Sequence, residues 1–296
     1  MANEIDNAAY QRLLAYKIPE VEQNLTKRDT MLYALGVGLG ADPMDEQQLR
    51  YVYEKELAAL PTMAVVLAAP SAWVKKTGTG FGSKSVHGEQ IFTNHKPIPV
   101  EGVLVGVSKL ASVVDKGIVD GKNRGAVITT ERKVYEKKTG DLISTLVSSS
   151  FCRGDGGFDG PTGPSREPHA MPPADTCPQF TCDLPTLPQA ALIYRLSGDY
   201  NILHSDPAHA QKVGFPRPIL HGLCTFGVAG HAMLKTLCGY DPARFKSMEA
   251  RFSSPVYPGE TLRTQMWKSG NVVSFRCTVP ARGDVVVLNN GRAEIA

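Results

Sequence analysis

The sequence predicts an α+β protein with two similar halves, each with a helix followed by β-strands. A segment rich in glycine and proline, residues 153–189, separates residues 1–152 from residues 190–296. The second half contains a run from Leu223 to Cys238 that is apolar on almost every side, and such a helix must be buried all round. In both halves a helix is followed by segments with the alternating pattern of β-strands. A sheet wrapped around the helix would provide the burial that the apolar run requires.

Length and composition are those of an ordinary globular protein. The 296 residues, 42% of them hydrophobic, suffice for one large or two ordinary domains with sizeable cores. A net charge of +3 fits an anionic ligand but is far too small to indicate nucleic-acid binding. The six cysteines do not form a disulfide framework in a chain of this length, so reduced thiols are expected.

Two helices and two strands are predicted in the first half. The stretch from Thr30 to Leu39 indicates a helix capped by Asp29, and a more amphipathic helix follows from Asp45 to Leu57. The strands are indicated by apolar positions with a period of two: Val103, Val105 and Val107 in one, and Ile143, Val147 and Phe151 in the other.

The second half repeats this order. Its apolar helix follows the turn from Pro218 to Gly222 and is closed by Gly239. Two strands are predicted after it, one from the alternation of Val273, Phe275, Cys277 and Val279, and one from the run Val285–Leu288, which precedes the turn signal Asn289-Asn290-Gly291.

The segment from Tyr194 to His204 is the most informative about chemistry. It carries a carboxylate, an amide and an imidazole (Asp199, Asn201 and His204) within six positions. An irregular turn can bring Asp199 and His204 to one water, which a regular helix or strand would not allow. Taken singly, Asp199 and Asn201 are better explained as turn or cap residues. The complete set favours addition or removal of water.

Gly222 lies at the predicted N-terminus of the apolar helix. Backbone N–H groups there have no intrahelical partner and carry the positive end of the helix dipole, and a residue without a side chain lets a carbonyl oxygen come close. If the substrate is an α,β-unsaturated thioester, water attacks C3 and negative charge collects on the thioester oxygen, where such donors stabilise the transition state. Gly222 is therefore the candidate oxyanion donor.

Three segments resemble the hydratase 2, or MaoC-like, enoyl-CoA hydratases. Tyr194 to Ala210 resembles the signature of that family, Phe252 to Leu262 is similar to its downstream strand and turn, and Asp29 to Gly38 resembles the start of the first half in its two-domain members. The resemblance implies two tandem hot dog folds, in which an antiparallel sheet wraps around a central helix. It also implies reversible syn hydration of a trans-2-enoyl-CoA to the (R)-3-hydroxyacyl-CoA, with coenzyme A as part of the substrate and no separate cofactor.

The resemblance also assigns roles to residues. By it, Asp199 and His204 would hold the nucleophilic water, Asn201 would support the site, and the Gly222 amide would polarise the thioester carbonyl. The family usually has proline where this chain has Ile202, so the loop loses a fixed φ angle.

The first half is expected to shape the acyl pocket without taking part in catalysis. Between Leu35 and Asp42, where a weak internal repeat matches the signature, there is neither an Asp-x-Asn pattern nor a histidine. The substrate-binding residues are expected to be Arg217, Phe252, Val65 and Val66.

A metal ion is not expected. Cys177, Cys182 and His169 are irregularly spaced, and His204 and His209 miss the i, i+4 spacing of a helical metal pair. His221 and His231, beside and on the apolar helix, are not assigned to catalysis, because such imidazoles are more often satisfied core or boundary residues.

Two other functions stay open. A non-catalytic acyl-CoA-binding protein would keep the fold but lack the Asp and His, and this chain has both. A hot dog thioesterase would place a carboxylate on the central helix, whereas Leu223–Cys238 contains no Asp or Glu. Hydration is therefore favoured.

The expected setting is a cytoplasmic homodimer of double hot dog subunits that binds an acyl-CoA thioester, with neither nucleic acid nor membrane as partner. Residues Met1–Asp6 lack the basic start and apolar core of a secretory signal, and no run approaches the roughly 18 to 20 apolar residues that span a bilayer. The chain also does not end in a peroxisomal tripeptide.

Overall fold

The structure is a computed structural model that describes residues 5–70, 72–173 and 175–296. Residues 1–4, on which the secretory-signal expectation partly rests, lie outside the described residues. Among the described helices, none is both long and apolar enough to cross a membrane.

The helices and strands are named here in chain order. The helices are α1 (Asn7–Ala15), α2 (Lys27–Gly36), α3 (Glu46–Leu49), α4 (Trp73–Lys76), α5 (Ala190–Tyr194), α6 (Pro207–Lys212) and α7 (Gly222–Leu237). The strands are β1 (Val21–Leu25), β2 (Ser85–Asn94), β3 (Gly102–Asp115), β4 (Ile118–Val119), β5 (Lys122–Asn123), β6 (Ala126–Glu136), β7 (Leu142–Cys152), β8 (Phe180–Pro185), β9 (Phe245–Phe252), β10 (Thr261–Ser269), β11 (Val272–Val279) and β12 (Val285–Ile295).

Ten of these strands form one antiparallel sheet. Their order is β1-β3-β6-β7-β2-β9-β12-β11-β10-β8, so each half of the chain supplies five consecutive strands. The halves meet where β2 pairs with β9, with Ile91 opposite Glu249. Across this junction, Arg251 Nη2 donates to Glu89 Oε1 at 2.6 Å. The two halves therefore share a continuous sheet.

Helix α7 is the central helix of the second half, as predicted. It begins at Gly222 and is followed by Gly239 at φ +58°. Twelve of its sixteen residues are buried. A Cβ atom at Gly230 would overlap the side chain of Thr62, so only glycine allows the first half to approach this closely.

The helices of the first half differ from the prediction. Helix α2 begins at Lys27, because Thr26 and Asp29 form a capping box, so Asp29 is the third helical residue and not the cap. The predicted helix from Asp45 to Leu57 is wrong beyond its start: Asp45 caps only the one-turn helix α3.

A long central helix is absent from the first half. Between α2 and β2, the described residues contain no α-helix longer than four residues. A 3₁₀ turn over Pro61–Val66 lies there instead, and it contacts α7, β2, β7 and β9. Because no helix fills the inner face of the first five strands, a cleft is left there.

The predicted strands exist, but some of their faces differ. Val273, Phe275, Cys277 and Val279 are all buried, as the alternation predicts. In β3, Leu104 is fully buried, whereas Val107, which was predicted on the buried face, is 39% exposed. In β7, Ile143 is buried as predicted, but Leu146 is more buried than Val147 or Phe151.

The turn predicted at Asn289-Asn290-Gly291 is wrong, because β12 continues through it to Ile295. The register shifts there, and Asn290 has φ +48°, so the three residues form a β-bulge. Gly291 is required in it, since a Cβ atom would lie 2.5 Å from the Phe275 carbonyl oxygen.

The predicted linker, residues 153–189, is partly folded into both halves. Its start is fixed by Asp115, whose carboxylate accepts from the amides of Gly157 and Phe158 at 2.8 and 2.9 Å. Phe158 is fully buried against Tyr10. Its end forms β8, which pairs with β10 at the edge of the second half. The two ends of this segment are therefore folded, one onto each half.

Candidate active site

The signature segment adopts the irregular conformation that its chemistry requires. After α5, Gly198 at φ +118° reverses the chain, and a 3₁₀ turn over Ile202–His204 follows. Asn201 caps that turn by accepting a hydrogen bond from the Leu203 amide at 3.1 Å. Asp199 accepts one from the Asn201 amide, also at 3.1 Å. These local bonds hold Asp199 and His204 on one side of the loop.

Three side chains meet at this point. The carboxylate of Asp199 and ring nitrogens of His204 and His221 all lie within 4.8 Å of one another. Two hydrogen bonds of about 2.8 Å joined at a tetrahedral water span about 4.6 Å. The separation between Asp199 and His204 therefore fits one water held between them.

The hydrogen bonding of His204 defines its tautomer, and its burial defines its charge. Its Nδ1 lies 2.8 Å from the carbonyl oxygen of Ile219 and must donate, because a carbonyl only accepts. Burial lowers the pKa of His204, against the opposing effects of this hydrogen bond and of Asp199. The imidazole is therefore neutral near pH 7, with the Nε2 lone pair free to accept a proton.

His221 belongs to the site, although sequence reasoning left it out. Its ring stacks on that of His204 at 3.7 Å between centroids, and its Nε2 donates to the backbone oxygen of Asp199 at 3.1 Å. Burial, followed by the neighbouring His204, lowers the pKa of His221 to about 4. His221 thus positions both predicted catalytic residues. The only available signal was its place directly before Gly222.

Gly222 is the first residue of α7, as predicted. The side chain of His221, which caps the helix, makes no capping bond, and the Cys224 amide donates to the His221 carbonyl oxygen at 3.0 Å, so the amides of Gly222 and Leu223 are the first-turn donors left for a ligand. Leu223, the next residue, lines the cleft. A Cβ atom at Gly222 would lie 3.1 Å from ring atoms of Phe252, closer than ordinary van der Waals contact.

The cleft beside the site has a volume of about 970 Å³ and is bounded by both halves of the chain. Its wall includes Asp199, Asn201, Val65 and Val66 among the predicted residues. His204 is only 8% exposed and lies behind this wall, next to Asp199.

Two predicted substrate-binding residues lie elsewhere. Arg217 is exposed, stacks on Tyr257 at 5.0 Å and donates weakly to the Pro258 carbonyl oxygen at 3.4 Å. Phe252 packs behind Gly222 and beside His87, whose ring centroid is 4.7 Å away. Neither residue is part of the cleft wall, and their contact with substrate stays a prediction.

The first half contributes an imidazole that sequence reasoning missed. His87 lines the cleft, and its buried Nε2 has no hydrogen-bond partner among the described residues. Burial lowers its pKa to about 4, and Asp199 opposes that shift. No spacing pattern could reveal His87, since it lies on β2 of the first half and shares the cleft wall with Asp199 of the second half. His231, in contrast, is a satisfied core residue, with Nδ1 3.2 Å from the Val37 carbonyl oxygen.

The three clustered groups also meet the distance requirement for a shared metal ion. The ring centroids of His204 and His221 are 3.7 Å apart and their planes are inclined by 27°, so the two rings are stacked. Because the lone pairs of an imidazole lie in its ring plane, a stacked pair is a poor arrangement for two rings that bind one ion. Independence from metal stays a prediction.

Comparisons with known proteins agree with this architecture. A family model described as the MaoC like domain matches residues 169–289, and one described as the MFE-2 hydratase 2 N-terminal domain matches residues 23–154. The chain is 38% identical to "Enoyl-CoA hydratase 2, peroxisomal" of Arabidopsis thaliana, over 93% of this chain and 92% of that protein. It is 40% identical to "3-hydroxyacyl-thioester dehydratase Y" of Mycobacterium tuberculosis, over 91% and 92%.

A solved structure gives the same result for the fold. The crystal structure of a MaoC-like dehydratase from Phytophthora capsici superposes with a TM-score of 0.82 at 33% identity, and covers 97% of this chain and 98% of that one. Together with the sheet order, this likeness confirms the predicted tandem hot dog fold.

Proposed function

The chain belongs to the MaoC-like hydratase 2 family, and from this we propose that it catalyses the reversible syn addition of water to a trans-2-enoyl-CoA. The product is the (R)-3-hydroxyacyl-CoA. The names of the two relatives, a hydratase of enoyl-CoA and a dehydratase of 3-hydroxyacyl thioesters, describe the two directions of this reaction. One transition state serves both directions.

The observation that carries the proposal is the pair formed by Asp199 and His204. A neutral imidazole with a free Nε2 accepts a proton from water, and the carboxylate fixes the second hydrogen of that water. Because the hydroxyl and the hydrogen are added to one face, the proton taken from the water returns to C2 from the same pair. His221 keeps the pair aligned through its stacking and its bond to the Asp199 backbone.

The second requirement is stabilisation of the enolate oxygen. The amides of Gly222 and Leu223 lie in the first turn of α7, where the helix dipole adds to their effect. We assign the thioester oxygen to this turn. The double bond then lies between the turn and the Asp199–His204 pair, and the acyl chain extends into the cleft.

The test is the loss of enoyl absorbance with a trans-2-enoyl-CoA series, followed by chiral analysis of the product. We expect hydration of crotonyl-CoA to the (R)-alcohol, unchanged after treatment with a chelator and without NAD. An (S) product, or activity that returns only with zinc, contradicts the proposal. Release of free coenzyme A without hydration would indicate a thioesterase.

The setting belongs to the same proposal. We propose a homodimer, which sedimentation of the purified chain tests directly. The cytoplasmic location stays a prediction, and the name of the Arabidopsis relative places that protein in peroxisomes. Fractionation of the native cells decides between the two compartments.

A further inference from the structure

The wall of the cleft that the first-half sheet forms carries several polar side chains beside the apolar Ile128 and Leu146. On the inner face of the first-half sheet, the cleft is lined by hydroxyl groups of Ser108, Thr130, Ser148 and Ser150, together with Gln90 and Arg132. Ser108 is 8% exposed, and its Oγ has no hydrogen-bond partner among the described residues. Covering the four hydroxyl groups with methylene groups would leave them unpaired, which costs free energy at each one, whereas Gln90 Nε2 already donates to the Ile91 carbonyl oxygen at 2.8 Å.

Arg132 is the centre of this polar face. It lies directly opposite Ser108 in the pairing of β3 with β6. Its Nη2 donates to the Val65 carbonyl oxygen at 2.8 Å, and its buried Nε has no partner in the part of the chain that the structure describes. The described residues also contain no carboxylate paired with Arg132, whereas the neighbouring Glu131 is paired with Lys109 at 3.0 Å.

Neither of the two carboxylates among the described cleft-lining residues is paired with Arg132. Glu22, a carboxylate of the cleft wall, is held by Lys137 at 2.7 Å. The carboxylate of Asp199 is at the catalytic end. A guanidinium offers donors in a planar fork that matches a carboxylate, and an arginine enclosed without a partner carboxylate favours a ligand that brings one.

We propose that the cleft takes acyl groups that carry a carboxylate at their far end, with Arg132 and Ser108 as its recognition site. This rests on the proposed function, since the thioester end of the same ligand must lie at Gly222. The substrate class is then the coenzyme A monothioesters of dicarboxylic acids.

The size of the cleft fits such a ligand. His87, at the catalytic end, lies opposite Ser150, which in turn lies opposite Ile128 on β6. Arg132 follows Ile128 by four residues. The Cα atoms of His87 and Arg132 are thus four residues apart along the strand direction and two strand spacings apart across the sheet. Together these steps separate them by about 16 Å. A medium-length acyl chain spans the distance that remains between the two side chains.

The experiment compares trans-2-decenedioyl-CoA with trans-2-decenoyl-CoA, which has the same length but ends in a methyl group. We expect kcat/KM to be at least about 10-fold higher for the dicarboxylic substrate, and this ratio to fall by about 10- to 100-fold in Arg132→Met. Arg132→Lys should keep part of the preference. Lys133→Met, which removes the next charge on the other face of β6, is the matched control and should leave the ratio unchanged.

Arg132 has a competing structural role, because it holds the turn that contains Val65. If that role were its only one, Arg132→Met would lower the melting temperature and reduce both substrates equally, and the proposal would be wrong. Binding of decanedioyl-CoA and decanoyl-CoA, measured by calorimetry, needs no turnover. A preference for decanedioyl-CoA that Arg132→Met abolishes supports the inference even if hydration itself is absent, and equal binding overturns it.

Discussion

Replacing Gly222 by alanine tests the oxyanion site, because the added methyl group should displace the first turn of α7 by an amount that the structure defines. Gly222 does not have a positive φ, so alanine fits the backbone. Its Cβ would lie 3.1 Å from Cδ1 and Cε1 of Phe252, about 0.5 Å inside the usual carbon–carbon separation. If the helix turn recoils by that amount, a hydrogen bond of about 2.9 Å lengthens to about 3.4 Å, beyond the normal range.

The expected cost follows from that lengthening. Complete loss of an oxyanion donor lowers kcat by about 10²- to 10³-fold. Partial loss in Gly222→Ala should therefore lower kcat on crotonyl-CoA by about 10- to 100-fold, with little change in melting temperature. The double variant Gly222→Ala with Phe252→Leu removes the overlapping ring atoms and should recover most of this loss, with Phe252→Leu alone as its control. Full activity in a stably folded Gly222→Ala would refute the placement of the thioester oxygen.

Three further predictions concern other parts of the site. Burial lowers the pKa of His204, and its neutral form is the base, so kcat/KM should be flat near neutral pH and fall only as the pH drops through a midpoint below 6.5. A pH profile with an acid midpoint above that value contradicts the assignment. His221→Phe keeps the stacking on His204 but loses the hydrogen bond to the Asp199 backbone, so kcat should fall by about 3- to 10-fold. A loss as large as that of His204→Ala would instead make His221 a catalytic residue. Val66→Phe and Val65→Phe narrow the cleft and should raise KM for a sixteen-carbon enoyl-CoA relative to crotonyl-CoA. An equal loss of kcat/KM on both substrates in a stably folded variant would show that the first half does not shape the acyl pocket.

Local patterns predicted the irregular turn of the Tyr194–His204 segment, because its geometry is made locally. Gly198, Asp199 and Asn201 form the turn through bonds to their near neighbours, and Gly222 begins a helix that any hydropathy pattern detects. The same holds for the strand with Val273, Phe275, Cys277 and Val279, which is buried on one face and alternates accordingly.

What could not be predicted depends on contacts between distant segments. His87 on β2 shares the cleft wall with Asp199 of the second half, and β2 meets that half by pairing with β9, more than 150 residues further along the chain. The sequence does not distinguish Arg132 from other arginines in strands, because its burial depends on the turn that contains Val65, to which it donates a hydrogen bond. The glycine and proline pattern of residues 153–189 predicted a linker, yet Asp115 and β10 bind its two ends.

The bulge at Asn289-Asn290-Gly291 shows the same limit. This tripeptide is a strong turn signal, and the positive φ that the signal predicts is present at Asn290. The strand continues because β9 and β11 flank β12 on both sides and hold it in the sheet. Tertiary pairing therefore decided between a turn and a bulge.

The most direct test of the account is the rate of crotonyl-CoA hydration in Asp199→Asn, His204→Ala and the double variant. If both residues act on one water, each single change should lower kcat by about 10²- to 10⁴-fold, and the double variant should lose little more than the worse single. His209→Ala, five residues further along the chain, is the control and should keep wild-type turnover. Near-normal hydration by a stably folded His204→Ala, or losses that multiply in the double variant, would contradict the shared water.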